Sequence, residues 1–491
     1  MNRWANKLHD IYFPAPIRLL LYTARQQPNQ KANTLTKNPQ ALNKFSAVEK
    51  RVVFSIASLY GFRMLGLFMV LPVMSLYFEG YHQSSAFMLG LALGVYGLTQ
   101  AVFQIPLGLL SDKIGRRPVI LAGLLLFIIG SVIAALADSA LGVVLGRALQ
   151  GMGAIASTLM ALVTDLTAEQ NRTKAMASIG GSIGISFAIA MVLGPVVAAN
   201  FGLAGIFWLT ALLGFVGAII IINTIPKSFS MHKNRETQTD LQQLRGLLRE
   251  PSLMRLNLGI FFLHLTLMAA FVVIPTVLVQ QLEINFDQLW WIYLCLLGGG
   301  FIAMLPAMIF AEKRNAQKKI FVLAVALMTL ATFVLGTAQG ALITLTMLFV
   351  YFAAFNLLEA SLPSWLSKVC PVGNRGTAMG IYSTCQFLGT FAGGVLGGYA
   401  LANVGIDGLF WLLAVILLFW CFVASTMVSP KPLQTLILPV GETKANEFVK
   451  SISNIVGVED ILLIEGEDLA YVKVNKTLID MDSIRPFLNR T

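Results

Sequence analysis

Four ionisable side chains lie inside stretches that are otherwise apolar, and their types allow proton or ion chemistry: Arg63, Arg147, His264 and Glu359. A charge in such surroundings is costly unless it is paired or hydrated, and it commonly marks a proton or ligand pathway. Glu359 is the one carboxylate well inside an apolar stretch, so the sequence predicts it as the leading proton site. His264 is a second candidate, although a lone helical histidine is more often a satisfied core residue.

Arg63 permits two interpretations. Its guanidinium can hold an anionic group of a ligand, or it can pair with an acid of the protein. The sequence leaves both open.

A polar stripe accompanies these charges. Tyr96, Gln100 and Gln104 recur every four residues, which places them on one face of a helix. We expect Asn356 and Gln386 to face the same cavity. Hydrogen bonding between helices is the alternative, and it is slightly favoured for any single glutamine.

The composition sets the class of protein. The chain has 491 residues, of which 56% are hydrophobic and 12% charged, and its mean hydropathy is +0.74. Soluble domains contain about 25% charged residues, so a polytopic membrane protein is predicted. The net charge of +11 is explained by where the lysines and arginines lie rather than by nucleic-acid binding. No metal-ligand or nucleotide-binding spacing occurs, so we expect no metal, cofactor, nucleotide or nucleic acid.

Twelve apolar runs have about the length needed to cross roughly 30 Å of hydrocarbon. They fall near residues 52-78, 87-110, 118-137, 141-164, 173-199, 203-225, 253-281, 288-311, 316-338, 340-362, 375-402 and 405-428. This predicts an all-α polytopic membrane protein with two six-helix halves, 52-225 and 253-428. A cytoplasmic segment, 1-51, precedes them, and a cytoplasmic linker, 226-252, joins them.

Loop charge predicts the orientation. The loops after runs 1, 3, 5, 7, 9 and 11 contain no lysine or arginine, whereas those after runs 2, 4, 6, 8 and 10 each contain at least one, and at least two when the first two residues of the next run are counted. Positive loops stay in the cytoplasm. Both termini are therefore expected to be cytoplasmic.

The second half repeats the first. Pro106 stands six positions before Asp112, and Pro306 stands six positions before Glu312. Two halves of equal orientation imply a two-fold axis along the membrane normal and a cavity between them.

Paired glycines recur in the spans. We expect Gly393-Gly394, Gly397-Gly398 and Gly180-Gly181-x-x-Gly184 to allow close crossing of helices rather than to bind a ligand.

The composition changes after Pro430. Residues 433-440, 460-465 and 470-474 have strand patterns, while 445-456 and 479-488 have helical ones. The order βαββα predicts a small cytoplasmic ferredoxin-like domain over 430-491. Residues 439-445 contain no cysteine, which argues against metal transport by this domain.

Two motifs carry a family resemblance. Gly108-x-x-x-Asp112-x-x-Gly115-Arg116-Arg117 follows the second run, and Arg147-Ala148-Leu149-Gln150-Gly151 lies in the fourth. On these motifs the chain resembles the major facilitator superfamily. With its terminal domain it is similar to the YajR-type transporters within that family.

A third motif fits in part. Gly181, Gly194 and Pro195 match the fifth-span pattern of proton-linked antiporters. That pattern would also have glycine at three positions where alanine stands here, Ala190, Ala198 and Ala199. The departure weakens an antiporter assignment.

The resemblance implies a charge lock on the cytoplasmic side. Asp112 is expected to contact the start of the eleventh span near Arg375, where unsatisfied N–H groups favour a carboxylate, and to hold the outward-facing state. Arg172 would complete the network with Asp165 and Glu169. The alternative is an ordinary loop acid that satisfies positive neighbours.

The resemblance also implies the function. Arg147 resembles the fourth-helix arginine that other members link to proton coupling. We expect a secondary active transporter, a monomer in the lipid bilayer of a bacterial inner membrane, that exports a small organic or drug-like solute in exchange for protons. A solute sensor with the terminal domain as reporter is the alternative, and an enzyme is not expected.

Overall fold

The computed structural model of the chain describes residues 45–167, 169–225, 246–370, 375–429, 433–440, 445–463, 469–475 and 478–488. Most of the predicted segment 1-51 and of the linker 226-252 lies outside these ranges. The chain divides into two compact units. Within the described ranges, the larger comprises residues 45–367 and Gly376–Ser429, and the smaller comprises residues 368–370, Arg375 and those from 433 to 488.

Ten helices of the described chain are long and apolar enough to cross a membrane. The spans are Ala47–Phe68 (span 1), Ala86–Ile114 (2), Arg116–Ala135 (3), Ala140–Met152 with Ala156–Leu166 (4), Glu169–Thr224 (5 and 6), Pro251–Thr276 (7), Gly299–Lys313 (8), Gln317–Leu335 (9), Ala341–Val369 (10) and Arg375–Ser425 (11 and 12). A π-helical turn, Val277–Gln281, extends span 7. Short helical segments, Phe286–Gln288, Leu289–Tyr293 and Leu294–Gly298, lead into span 8.

Two of these helices have more than twice the spanning length. Lys174–Thr224 has 51 residues and Gly376–Ser425 has 50, whereas about 20 suffice. Each is interrupted by a glycine in a left-handed conformation, Gly202 with φ 64° and Gly405 with φ 73°, which residues with a side chain rarely adopt. Each helix therefore crosses twice, and the described helices make twelve passes as predicted.

Span 1 is shorter than the apolar run predicted, and span 4 is interrupted within it. Span 1 ends at Phe68, and a turn containing Pro72 separates it from the short helix Met74–Tyr77, because proline has no N–H to continue a helical ladder. Span 4 is interrupted at Gly153. A Cβ added there would lie 2.3 Å from the backbone oxygen of Gly123, so the interruption lets the chain approach span 3.

Spans 2 and 11 touch through their backbones at the ends predicted to face the periplasm. A Cβ added to Gly90 would lie 2.1 Å from the oxygen of Gly394, and one added to Gly398 would lie 2.5 Å from the oxygen of Ala86. Nearby, the rings of Tyr77 and Phe286 make an edge contact at 5.6 Å. The two halves are therefore closed against each other on this side.

The other glycine of each span 11 pair, Gly393 or Gly397, packs against span 7 within the second half. A Cβ added to Gly393 would lie 2.1 Å from the oxygen of Leu265, and one added to Gly397 would lie 2.9 Å from Cα of Ala269, both in span 7. The predicted role of the span 11 pairs in close crossing is confirmed.

The glycines of span 5 behave differently. A Cβ added to Gly180, Gly181 or Gly184 would meet nothing within 4 Å among the described residues. The prediction that they allow close helix crossing is wrong for this conformation. The reason is that the face of span 5 on which these glycines lie has no described neighbour in this conformation, although Ala175 and Ile179 on another face are buried.

The smaller unit has the predicted order βαββα: β1 Leu433–Pro439, α1 Ala445–Ser453, β2 Val458–Leu463, β3 Leu469–Asn475 and α2 Met481–Leu488. β3 lies between β1 and β2 and is antiparallel to both. Phe448, Ile452, Val472 and Ile484 form the centre of its apolar core.

A buried lysine of this unit makes two further contacts. Lys473 Nζ donates to the backbone oxygens of Lys368 at 2.9 Å and Cys370 at 3.0 Å, which belong to the same unit. These oxygens lie at the end of the helix Ala341–Val369, where carbonyls lack helical partners and a cation is favoured.

We expect Gly394→Ala to hold the outer ends of spans 2 and 11 apart, because the added methyl group would meet backbone atoms that cannot rotate away. The measurement is labelling by a membrane-impermeant maleimide of a cysteine placed at the buried Leu89, with the four native cysteines replaced by serine. Labelling should rise in Gly394→Ala but not in Gly180→Ala, whose methyl group meets open space. Equal labelling of both variants would contradict the packing argument.

Candidate functional site

Three polar side chains from spans 7, 10 and 11 meet inside the second half. Gln386 Nε2 lies 2.8 Å from His264 Nε2 and 3.5 Å from Glu359 Oε1. His264 Nδ1 lies 3.8 Å from Glu359 Oε2. The structure thus brings together three residues that the sequence named separately.

The contacts of Gln386 indicate which ring nitrogen of His264 carries the proton. One amide nitrogen carries two hydrogens, so it can donate to both the imidazole and the carboxylate. His264 Nε2 is then the acceptor, and the neutral ring carries its proton on Nδ1. That nitrogen is the one nearest to Glu359 Oε2.

Glu359 is the accessible member of the cluster. Its side chain is 37% exposed, whereas that of His264 is 9% exposed. Glu359 Oε2 has no hydrogen-bond partner in the described structure. Oε2 itself is buried, so a proton would reach the carboxylate through the exposed part of the side chain and would satisfy an oxygen that has no partner.

The first half contains a buried cation in neutral surroundings. Arg63 is 1% exposed, and its Nη2 donates to the hydroxyl of Tyr96 and to Gln100 Oε1, each at 3.2 Å. Its Cζ lies 5.6 Å from the centre of the Phe127 ring. Among the described residues, no carboxylate pairs with Arg63 in this conformation.

Arg147 also contacts Tyr96. Its Nε donates to the backbone oxygen of Ala92 at 3.2 Å and its Nη1 donates to Gln150 Oε1 at 3.1 Å. Its Cζ lies 5.2 Å from the centre of the Tyr96 ring. Gln150 belongs to the fourth-span motif, but the sequence analysis did not assign it a role. It lies three residues after Arg147, which places both on one helical face.

Two other predicted residues lie outside these clusters. Gln104 is buried, and its backbone oxygen accepts from Ser157 Oγ at 2.9 Å, while its Oε1 has no partner among the described groups. Asn356 Nδ2 donates to the backbone oxygen of Leu297 at 3.4 Å. Its contact is the helix-to-helix bond that was the alternative interpretation.

An aromatic series connects the halves beside the carboxylate cluster. Phe187 of span 5 lies 4.8 Å from Phe68 and 6.4 Å from Phe355 of span 10, measured between ring centres. Phe355 lies 6.1 Å from the ring of His264. The sequence alone does not single out these rings, because the chain contains 32 phenylalanines and most of them lie in apolar runs.

The loop motif after span 2 forms a compact ion cluster. Arg116 pairs with Asp112, its Nε donates to Asp165 Oδ2 at 3.1 Å, and its Nη1 donates to Ser111 Oγ at 2.7 Å. Arg117 Nη2 donates to the backbone oxygen of Ile222 at 3.0 Å. The predicted residues Asp112, Arg116 and Asp165 are therefore brought together.

The two glycines of this motif have separate roles. Gly115 has φ 100° where span 2 ends and span 3 begins, a conformation that favours glycine. A Cβ added to Gly108 would lie 3.0 Å from Ser157 Oγ. Gly115 thus makes the turn, and Gly108 keeps span 2 close to span 4.

The remaining parts of the lock stay predictions. The side chains of Arg172 and Arg375 lie outside the described structure, so the contact between Asp112 and the start of span 11 is not tested. In the fifth-span motif, a Cβ added to Gly194 would lie 2.4 Å from the oxygen of Met69. Pro195 follows it inside the helix, so this part of the motif packs against the end of span 1.

Comparison with known proteins was made for both sequence and fold. The family model described as Major Facilitator Superfamily matches residues 56–393 and 256–450. The chain is 45% identical to "Inner membrane transport protein YajR" of Escherichia coli (strain K12), over 88% of this chain and 96% of that one. It is 27% identical to "Multidrug resistance protein MdtH" of Aeromonas salmonicida (strain A449), over 71% and 87% respectively.

A solved structure shares the fold. It is a bacterial homolog to the human lysosomal transporter Spinster, in an inward-facing and unoccupied conformation. The TM-score is 0.61 at 14% sequence identity, and the match covers 78% of this chain and 98% of that one.

We expect Asp165→Asn to destabilise the chain more than Asp112→Asn. The Asp165 side chain is 1% exposed and that of Asp112 is 25% exposed, and removing one partner from a buried ion pair costs about 3 kcal/mol or more. Thermal unfolding in detergent would measure the difference. A larger fall in Tm for Asp112→Asn would show that the exposed acid is the main partner of Arg116.

Proposed function

Since the chain belongs to the major facilitator superfamily, we propose that it is a secondary active transporter that exports a small organic solute in exchange for protons. The cluster of Glu359, His264 and Gln386 carries this proposal. It joins a titratable carboxylate to a titratable imidazole inside the spans, where ionisable residues are rare. The multidrug relative supports export of a drug-like compound.

The proposed proton uptake depends on Glu359 Oε2 and His264 Nδ1, which lack hydrogen-bond partners among the described groups. Glu359 Oε2 and His264 Nδ1 lie 3.8 Å apart, so the N–H of the ring can donate to the carboxylate after a small movement, while an incoming proton is held by the carboxylate itself. Protonation removes the negative charge and weakens the bond from Gln386. The cluster therefore links proton binding to the packing of spans 7, 10 and 11.

Alternating access is supported by the unequal packing of the two ends. Backbone contacts close spans 2 and 11 on the outer side, whereas Gly180, Gly181 and Gly184 face open space on the inner side. This is the arrangement expected of an inward-facing carrier. The pairing of Asp112 with Arg116 fits a lock that is released in this state and moves to the start of span 11 in the other.

We place the protein in a bacterial inner membrane, as the name of the Escherichia coli relative says of that protein. The loop charges support cytoplasmic termini. We propose that one chain is the working unit, because its two halves enclose the cavity. We further propose that the βαββα unit is a ferredoxin-like domain, as the central position of β3 in its sheet suggests.

The proton proposal is tested in proteoliposomes with a pH-sensitive dye inside and candidate solutes outside. We expect a solute-dependent pH change that Glu359→Gln abolishes, because an amide cannot take up the proton. Glu312→Gln, the same change at an exposed position at the end of span 8, should retain the signal.

Each other outcome has a definite meaning. If Glu359→Gln matches the wild type, Glu359 is not the coupling site, and His264 and Asp112 are tested next. If no solute gives a response while ligand binding is intact, transport is contradicted and the sensor function is favoured.

The lock is tested by Asp112→Asn. We expect it to shift the population toward the inward-facing form, because the amide is a weaker partner for the helix N-terminus in the outward-facing form. Labelling of cysteines introduced at the cytoplasmic and periplasmic ends of the spans would report the shift. Asp138→Asn, in an outer loop, serves as the control. Unchanged accessibility at both ends would rule out the lock.

A further inference from the structure

We propose that Arg63, Tyr96 and Gln100 form a binding site for the acidic group of the transported solute, so that the substrates are small organic anions. This inference rests on the proposed transport function and adds the substrate class to it.

The first support is the contrast between two buried arginines of the same half. Arg116 has carboxylate partners, Asp112 and Asp165. Arg63 is less exposed than Arg116 but is bonded only to neutral groups within the described structure. A buried charge without a counter-ion is unfavourable, and a ligand that brings the counter-ion relieves that cost.

The second support is the unused hydrogen-bonding capacity of the guanidinium. Arginine has five N–H donors in a planar fork that matches a carboxylate. Only Nη2 of Arg63 donates to described groups, over distances of 3.2 Å, and its Nε is buried without a partner there. An oxyanion would satisfy donors that the protein leaves unpaired.

The third support is the donor capacity that Tyr96 and Gln100 keep after they accept hydrogen bonds from Arg63. The Tyr96 hydroxyl and the Gln100 amide both accept from Arg63 through oxygen. Each keeps hydrogens of its own, so the O–H of Tyr96 and the NH2 of Gln100 are available to donate. Three donor groups and no described acid meet in one place, and this chemistry selects an anion over a cation or a neutral amide.

A second positive charge strengthens the selection. Arg147 Cζ lies 5.2 Å from the centre of the Tyr96 ring, so the tyrosine contacts two guanidinium groups, one at its hydroxyl and one at its ring. Among the described residues, Arg147 has no carboxylate partner either. The positive potential at Tyr96 is therefore not cancelled locally.

The experiment is thermal unfolding of the full-length protein in detergent. The probes are acetate, benzoate and 2-naphthoate, each compared with its amide, and benzylammonium serves as a cationic control, all at equal ionic strength. We expect at least one carboxylate to raise Tm by about 2 °C or more, with no rise from the amides or the cation. Absence of a rise from every carboxylate, or an equal rise from the amides, overturns the proposal.

Variants of Arg63 test whether the rise in Tm comes from binding at this site. Arg63→Gln should abolish the rise, Arg63→Lys should keep part of it, and Arg255→Gln, the same change at a partly exposed position at the start of span 7, should keep all of it. A rise that persists in Arg63→Gln overturns the proposal.

Gln100→Glu keeps the test decisive if Arg63→Gln does not fold. It places a carboxylate where Gln100 Oε1 now lies 3.2 Å from Arg63 Nη2, so it should raise Tm without a ligand and remove the response to carboxylates. An undiminished response in Gln100→Glu overturns the proposal. Because detergent holds no proton gradient, this result does not depend on the liposome assay, so failure of the anion site can be distinguished from failure of the proposed transport function.

Discussion

The cost of placing a charge in the apolar interior of a bilayer governs this structure. Each buried ionisable group meets that constraint in its own way. Arg116 is neutralised by acids at the ends of spans 2 to 4 that are predicted to face the cytoplasm. Glu359 keeps contact with open space and with a histidine. Arg63 and Arg147 are supported by neutral oxygens and aromatic faces.

The two halves share a repeat but differ in chemistry. The described interior of the first half holds two arginines, and that of the second holds a carboxylate, an imidazole and an amide. In the proposed mechanism, the solute's acidic group and the proton therefore bind to different halves. Their coupling would arise from the movement of one half against the other, without direct contact between the two ligands.

Much of the architecture was predictable because it depends on local sequence. The length of the apolar runs gave twelve passes, and the strand and helix patterns gave the order βαββα. The meeting of Glu359, His264 and Gln386 was not predictable, because the three lie on separate helices and only the packing of spans 7, 10 and 11 decides which faces converge. The glycines show the same limit: Gly394 meets a backbone oxygen and Gly181 meets none within 4 Å, although both lie in similar sequence patterns.

The adjacent glycine pairs of span 11 give the helix two faces that lack side chains at these positions. Gly393 and Gly397 lie against span 7, while Gly394 and Gly398 lie against span 2. Neighbouring helical positions are about 100° apart, so the two faces are adjacent but separate. Where glycines alone meet, no side chains interdigitate, and the two surfaces can part and rejoin without any rotamer change. The face toward span 2 therefore packs closely and can separate without rearranging side chains. This property suits a contact that would open and close in each cycle of the proposed transport.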